Sequence, residues 1–151
     1  FKNAMSGKKF IVLFLTAVLI FSASLFYFQN YAYYEPLNNK EFILFGDKIH
    51  KISSYQGIDS KSSGLKLREC FVVEDLDRID LPQYMRPTPL KAPFWFTCFD
   101  AERIAKDLKY GKAVSFLLKK EEFDGIDSVV AVYTDGKVYR WRQLNNKYLK
   151  E

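Results

Sequence analysis

The chain has 151 residues, of which 27% are charged and 48% hydrophobic, and a formal net charge of +5. That length suits one domain of ordinary size beside a membrane segment, and two cysteines with a single histidine exclude a disulfide-dense scaffold and the usual multi-histidine zinc arrangements. Lys2, Lys8 and Lys9 all precede the first apolar segment, and without them 20 basic residues face 18 acidic ones, so the positive balance is no footprint of nucleic-acid binding.

Phe10 to Phe28 is a run of nineteen residues without a charged side chain. At about 1.5 Å per helical residue it measures about 28 Å, close to the hydrocarbon thickness of a bilayer. The pattern predicts a transmembrane helix over residues 10–28, preceded by a short N-terminus at 1–9. Basic residues stay on the cytoplasmic side of a span. Lys2, Lys8 and Lys9 lie before it and the first base after it is Lys40, so the N-terminus is expected in the cytoplasm and the C-terminal part outside. Phe26, Tyr27, Phe28, Tyr31, Tyr33 and Tyr34 crowd the outer end, an aromatic collar of the kind membrane interfaces favour. Ser22-Ala23-Ser24 offers the small residues of a signal-peptide cleavage site, but Leu25 to Phe28 carries the apolar run past it, which favours a retained anchor. Met5 would serve as an ordinary start residue.

Residues 29–40 read as a juxtamembrane tether broken by Pro36, and residues 41–151 as one external α+β domain. Glu41 to Phe45 and Lys48 to Ile52, joined by Gly46-Asp47, predict a hairpin with a type II′ turn. Ser53 to Gly64 is rich in Ser, Gly and Asp and is expected to be a loop; Leu65 to Val73 is expected to be a buried strand. Glu74 to Asp80 is acidic and can begin a short helix. Pro82, Pro87, Pro89 and Pro93 then keep the chain extended, because each restricts its own backbone and that of the residue before it. Phe94-Trp95-Phe96-Thr97-Cys98-Phe99 is the densest apolar segment outside the membrane and is assigned to the core. Asp100 is the expected cap of a helix over Ala101 to Tyr110, stopped by Gly111. Ala113 to Leu118 and Ser128 to Tyr133 read as strands, the second apolar enough for a central position. Asp135-Gly136 predicts a two-residue type I′ turn into a last strand, Lys137 to Leu144. There Tyr139 and Trp141 share one face, Arg140 and Arg142 the other.

The topology places Cys70 and Cys98 in an oxidising compartment, where a structural disulfide is the expected state. The alternative is a thiol-redox or metal-handling pair; no C-x-x-C spacing supports it, and the aromatic neighbours favour burial. A copper set of His50, Cys70, Cys98 and Met85 has no recognisable spacing. His50 instead reads as a strand residue without catalytic duty. Glu74, Asp75, Asp77 and Asp80 lack the glycine of a calcium loop, and no phosphate-cradling glycine motif is present. No catalytic residue, cofactor or metal is assigned, and the reading leans away from an enzyme. Lys119, Lys120, Lys137, Arg140, Arg142, Lys147 and Lys150 make the C-terminal part basic. A charge-protected edge strand is the preferred account, while Arg140, Arg142 and Lys147 remain candidates for contact with an anionic surface.

The blocks Tyr31-Ala32-Tyr33-Tyr34-Glu35, Arg68-Glu69-Cys70-Phe71, Ala92 to Ala101 with its Trp95-Phe96-Thr97-Cys98-Phe99-Asp100 centre, and Gly125 to Gly136 together resemble an uncharacterised bacterial family of short single-span membrane proteins. The resemblance implies a cell-envelope protein of the inner membrane with a periplasmic domain, and matches both cysteines to the family pattern. It implies no activity. The expected role is therefore that of a bitopic subunit, or an assembly or scaffold factor, that sits in the lipid bilayer and binds another envelope protein. Phe94, Trp95, Phe96, Tyr139 and Trp141 are the candidate aromatic contacts.

Overall fold

A computed structural model describes residues 3–148. Lys2 and Lys150, counted among the basic residues above, lie outside them. Two compact units divide the chain between Tyr33 and Tyr34.

The first unit is a single helix, α1 (Gly7–Asn30), long and apolar enough to cross a membrane. It starts where the Ser6 hydroxyl accepts the Lys9 amide, satisfying one of the amides a helix leaves without a partner at its start. Two hydroxyls within the apolar run turn back onto the helix: those of Thr16 and Ser24 donate to Val12 O and Ile20 O, each at 2.8 Å. That lets an apolar solvent accept them. At the far end Tyr27 stacks on Tyr31 and Phe28 on Tyr33.

The second unit is α+β. Its strands are β1 (Glu35–Pro36), β2 (Phe42–Phe45), β3 (Lys48–Asp59), β4 (Arg68–Val73), β5 (Ala113–Phe123), β6 (Ile126–Tyr133) and β7 (Lys137–Leu144), with one principal helix, α2 (Ala101–Lys109). Every pairing is antiparallel, in the order β1-β3-β4-β7-β6-β5, and β2 folds back on β3. Glu35-Pro36, within residues 29–40, pairs with Ile58-Asp59.

The segment expected to be a loop after Ser53 is instead the long second half of β3. Polar composition gives way to pairing with β4, and Tyr55 and Ile58 are buried, as strand formation follows tertiary context more than intrinsic preference. A bulge between Ser53 and Gln56, with Ser54 at φ 53°, interrupts the alternation. It brings Ile52 and Tyr55 onto one face, where both join Phe45, Phe71, Val73, Val130 and Val138 in one core cluster. The opposite face packs Ile58, Cys70, Val129, Ala131 and Trp141 against Phe96, Phe99 and Ile104.

Helix α2 is capped as expected, with the Asp100 carboxylate accepting the Arg103 amide at 3.2 Å. Glu74 to Asp80 forms a 3-10 turn at Leu76–Arg78 and no longer helix. The proline-rich stretch is extended: Pro82 and Tyr84 hydrogen-bond to Leu117 and Ser115 of β5 and cover that strand's free edge. Two further expectations need correction. The turn after β6 has three residues, Thr134 to Gly136, with Gly136 N donating to Tyr133 O and Gly136 at φ 94°. This is a type I turn closed by a left-handed residue, with positive φ required once and not twice. And β7 is no edge strand, since β4 and β6 flank it. β6 is internal, as its apolar character indicates, though only β5 lies beyond it.

Candidate functional site

The sequence-predicted residues do not converge. Cys70 of β4 and Cys98 are joined in a disulfide with Cα atoms 6.3 Å apart, fastening the aromatic segment to the sheet. Within that segment Phe96 is buried, Trp95 meets Tyr34 edge-on, and Phe94 is 61% exposed, so the core assignment fails for Phe94. Tyr139 and Trp141 pack edge-on against Phe99. Four of the five candidate aromatics are thus interior or partly interior packing.

Arg140 and Arg142 turn into the sheet's other face. Arg140 donates to Glu69 at 2.7 Å, to Ser128 at 2.8 Å and to Glu122 at 3.0 Å; Arg142 donates to Glu122 at 2.8 Å and Asp59 at 3.3 Å. Lys40 lies 3.6 Å from Glu69, whose side chain is wholly buried. Lys147 pairs with Asp124 and Glu121. These cations are spent internally, which removes Arg140 and Arg142 from any anionic-surface contact. Burial would raise the Glu122 carboxyl, but hydrogen bonds and charge from Arg142 and Arg140 together hold it below its usual range. Burial, then the Glu69 charge and hydrogen bond, push the Tyr55 phenol up. Arg68 makes no salt bridge to a carboxylate among the described residues: its guanidinium is held by the carbonyls of Leu65, Leu67, Leu90 and Lys91, and burial brings it down to about 10. The arginines of this network are each held by carboxylates or backbone carbonyls, which gives it a structural role.

A groove of about 860 Å³ runs beside Tyr84, Asp127, Gln143 and Asn145. Several of its polar side chains are committed to the fold. Tyr84 donates to Asp127 at 3.1 Å, and Gln143 accepts the Thr88 amide at 2.7 Å and donates to Arg86 O at 2.9 Å, holding the 82–90 segment in place.

The surface that remains is the β2–β3 hairpin. Phe42, Leu44 and Ile49 are 56, 59 and 71% exposed. Leu44 pairs directly with Ile49, and Phe42 with Lys51. Side chains at alternate positions share a face, so these four form one outward patch while Ile43, Phe45, His50 and Ile52 face inward. Sequence reasoning missed it because Phe42-Ile43-Leu44-Phe45 is apolar at every position, and such a run cannot tell which face is covered. The signal available was the single-sided partner: in β3, Ile49 and Lys51 stand together on the face opposite His50 and Ile52.

A single apolar span followed by a disulfide-bridged antiparallel α+β unit defines the class: a candidate membrane-anchored protein with a folded extramembrane module. The chain belongs to a family of unknown function, DUF6446, whose model matches residues 46–150. No curated protein and no solved structure matches it.

Proposed function

We propose that the protein is a bitopic envelope protein that presents its α+β module to another protein, and that the β2–β3 hairpin is the docking surface. The observation that carries this is the cross-strand patch of Phe42, Leu44 and Ile49. Scattered exposed apolar residues are ordinary, whereas a contiguous set marks an interaction site. The chain enters the module at β1, opposite Asp59. Ile49 lies ten residues away along the same strand, roughly 30 Å at the rise of a β-strand, so the patch is at the opposite end of β3 from its pairing with β1. The rigid parts of the module suit a scaffold. The disulfide pins one face, and the charge lattice shares the other with the Phe45–Phe71 cluster. Orientation follows from Lys8 and Lys9, with the module in the periplasm of a bacterial envelope and the span in the inner membrane.

Incorporating a photocrosslinking residue at Leu44, Ile49 or, as a control, Tyr110 in intact cells tests this. A discrete heavier adduct at positions 44 and 49, absent at 110 and lost with Phe42→Ser, is the expected result. Equal adducts at all three positions, or none at the hairpin, overturn the proposal. The thiol or metal alternative finds Cys70 and Cys98 bonded to each other and Cys70 buried, so nothing favours it over docking.

A further inference from the structure

Between the hairpin and the 74–78 segment lies a cavity of about 420 Å³ whose wall includes Phe42, Ile49, His50, Lys51 and Arg78. His50 is only 3% exposed, its ring centroid 5.1 Å from that of Phe45. Its Nε2 is the one buried side-chain nitrogen or oxygen among the described residues without a hydrogen-bond partner. Leaving such an atom unpaired forfeits its hydration without compensation, and native structures carry few of them without a reason. In the groove beside Tyr84, by contrast, Tyr84, Asp127 and Gln143 are bonded to one another and to the 86–88 backbone.

The surrounding charges select the missing partner. Glu74 and Asp75 also line the cavity, but Asp75 is held by Arg78 at 3.8 Å. Among the described residues no three His, Cys, Asp or Glu side chains stand close enough to hold a metal ion; Arg78 and Asp75 answer each other, which leaves Glu74 and the Lys51 ammonium as the cavity's other charges. Lys51 has no acidic partner within salt-bridge distance among the described residues and is the one charge on the hairpin's outward face. An anionic acceptor fits: it takes the Nε2 proton of a neutral imidazole and meets the Lys51 ammonium. Imidazole neutrality agrees with burial, and secondarily with the Arg78 charge, which lower the His50 pKa.

Resting on the docking reading above, we propose that this cavity is the socket for an acidic side chain, Glu or Asp, of a partner segment whose apolar residues cover Phe42, Leu44 and Ile49. The apolar patch supplies contact area and the socket supplies selectivity, the usual division between a packed anchor and a desolvated polar pair.

The test is selection of a random displayed peptide library on the full chain in nanodiscs, with counter-selection on empty nanodiscs of the same lipid. Enriched peptides are expected to carry Glu or Asp beside apolar residues. A synthetic copy of one should bind at least tenfold more tightly than its Glu→Gln twin. His50→Phe, His50→Gln and Lys51→Met should each bring the acidic peptide to the level of the twin without changing the twin's own binding, at unaltered melting temperature. Equal binding of twin and parent, enrichment without acidic residues, or indifference to His50 and Lys51 overturns the socket. Binding of the acidic peptide that survives Phe42→Ser with Leu44→Ser overturns the docking surface instead. Failure of any peptide to enrich, or Phe42-dependent capture of anionic phospholipid vesicles in its place, overturns both.

Discussion

Taking a carboxylate out of water costs several kcal/mol unless its partners are complete. Glu69 meets that condition through Arg140 at 2.7 Å, Lys40 at 3.6 Å and the Tyr55 hydroxyl. The Tyr55 hydroxyl can reach it because Gly57, paired with Glu69 across β3 and β4, leaves room; a Cβ on Gly57 would stand 2.5 Å from that oxygen. Glu69→Gln should therefore destabilise the full chain by about 3 kcal/mol, since the buried Arg140 keeps its charge and loses the closer of its two carboxylates, Glu122 alone remaining. Arg140→Met in the same background should not add its own full loss, giving a coupling of about 1.5 kcal/mol or more in urea titrations in detergent. Simple additivity would show that Arg140 does not hold Glu69. None of this was legible in the sequence. Alternation put Arg140 and Arg142 on one face of β7, but nothing local revealed that Glu69, Glu122 and Asp59 arrive there from three other strands. Four of the five candidate aromatics pack inward while Phe94 is exposed, because density of aromatic residues reports burial as readily as recognition.

At the scale of elements, the parts that declared themselves were those with local chemistry. The span needed only its uncharged length, and α2 only Asp100 at its start and the periodic Ile104 and Leu108 within it. The second half of β3 was illegible, because Ser53, Ser54, Gln56 and Gly57 look like a loop until β4 pairs with them. The Cys70–Cys98 bridge is a different kind of element, a covalent link between β4 and a segment with little regular structure of its own. With a sequence separation of 28 residues, it restricts the unfolded chain by about 3.5 kcal/mol on the loop-entropy account. Cys70→Ser with Cys98→Ser should lower the urea midpoint accordingly, and addition of reductant to the wild type should reproduce the same shift. Equal midpoints for bridged and unbridged chains would mean that packing of Phe96 and Phe99 holds the segment unaided.

On the scale of the whole molecule, the span and the bridge make one joint statement about orientation. The proposed arrangement keeps Lys8 and Lys9 in the cytoplasm because basic flanks resist translocation, and it thereby carries Cys70 and Cys98 to a compartment where disulfides persist. The two features are chemically independent, so altering one should change the other only through topology. Replacing Lys8 and Lys9 by Glu, and Gln29 and Asn30 by Arg, reverses the charge bias across α1 without touching the module's interior. The wild-type chain, alkylated in acid-quenched cells with a high-mass maleimide and no reductant, should remain unmodified. The charge-reversed chain should gain two labels on its inverted fraction, because reducing cytosol keeps both thiols free. Unlabelled cysteines in the reversed chain, with a topology reporter confirming inversion, would show that the bridge forms regardless of compartment. Free thiols in the wild type would remove the oxidising compartment, and with it the periplasmic placement of the hairpin.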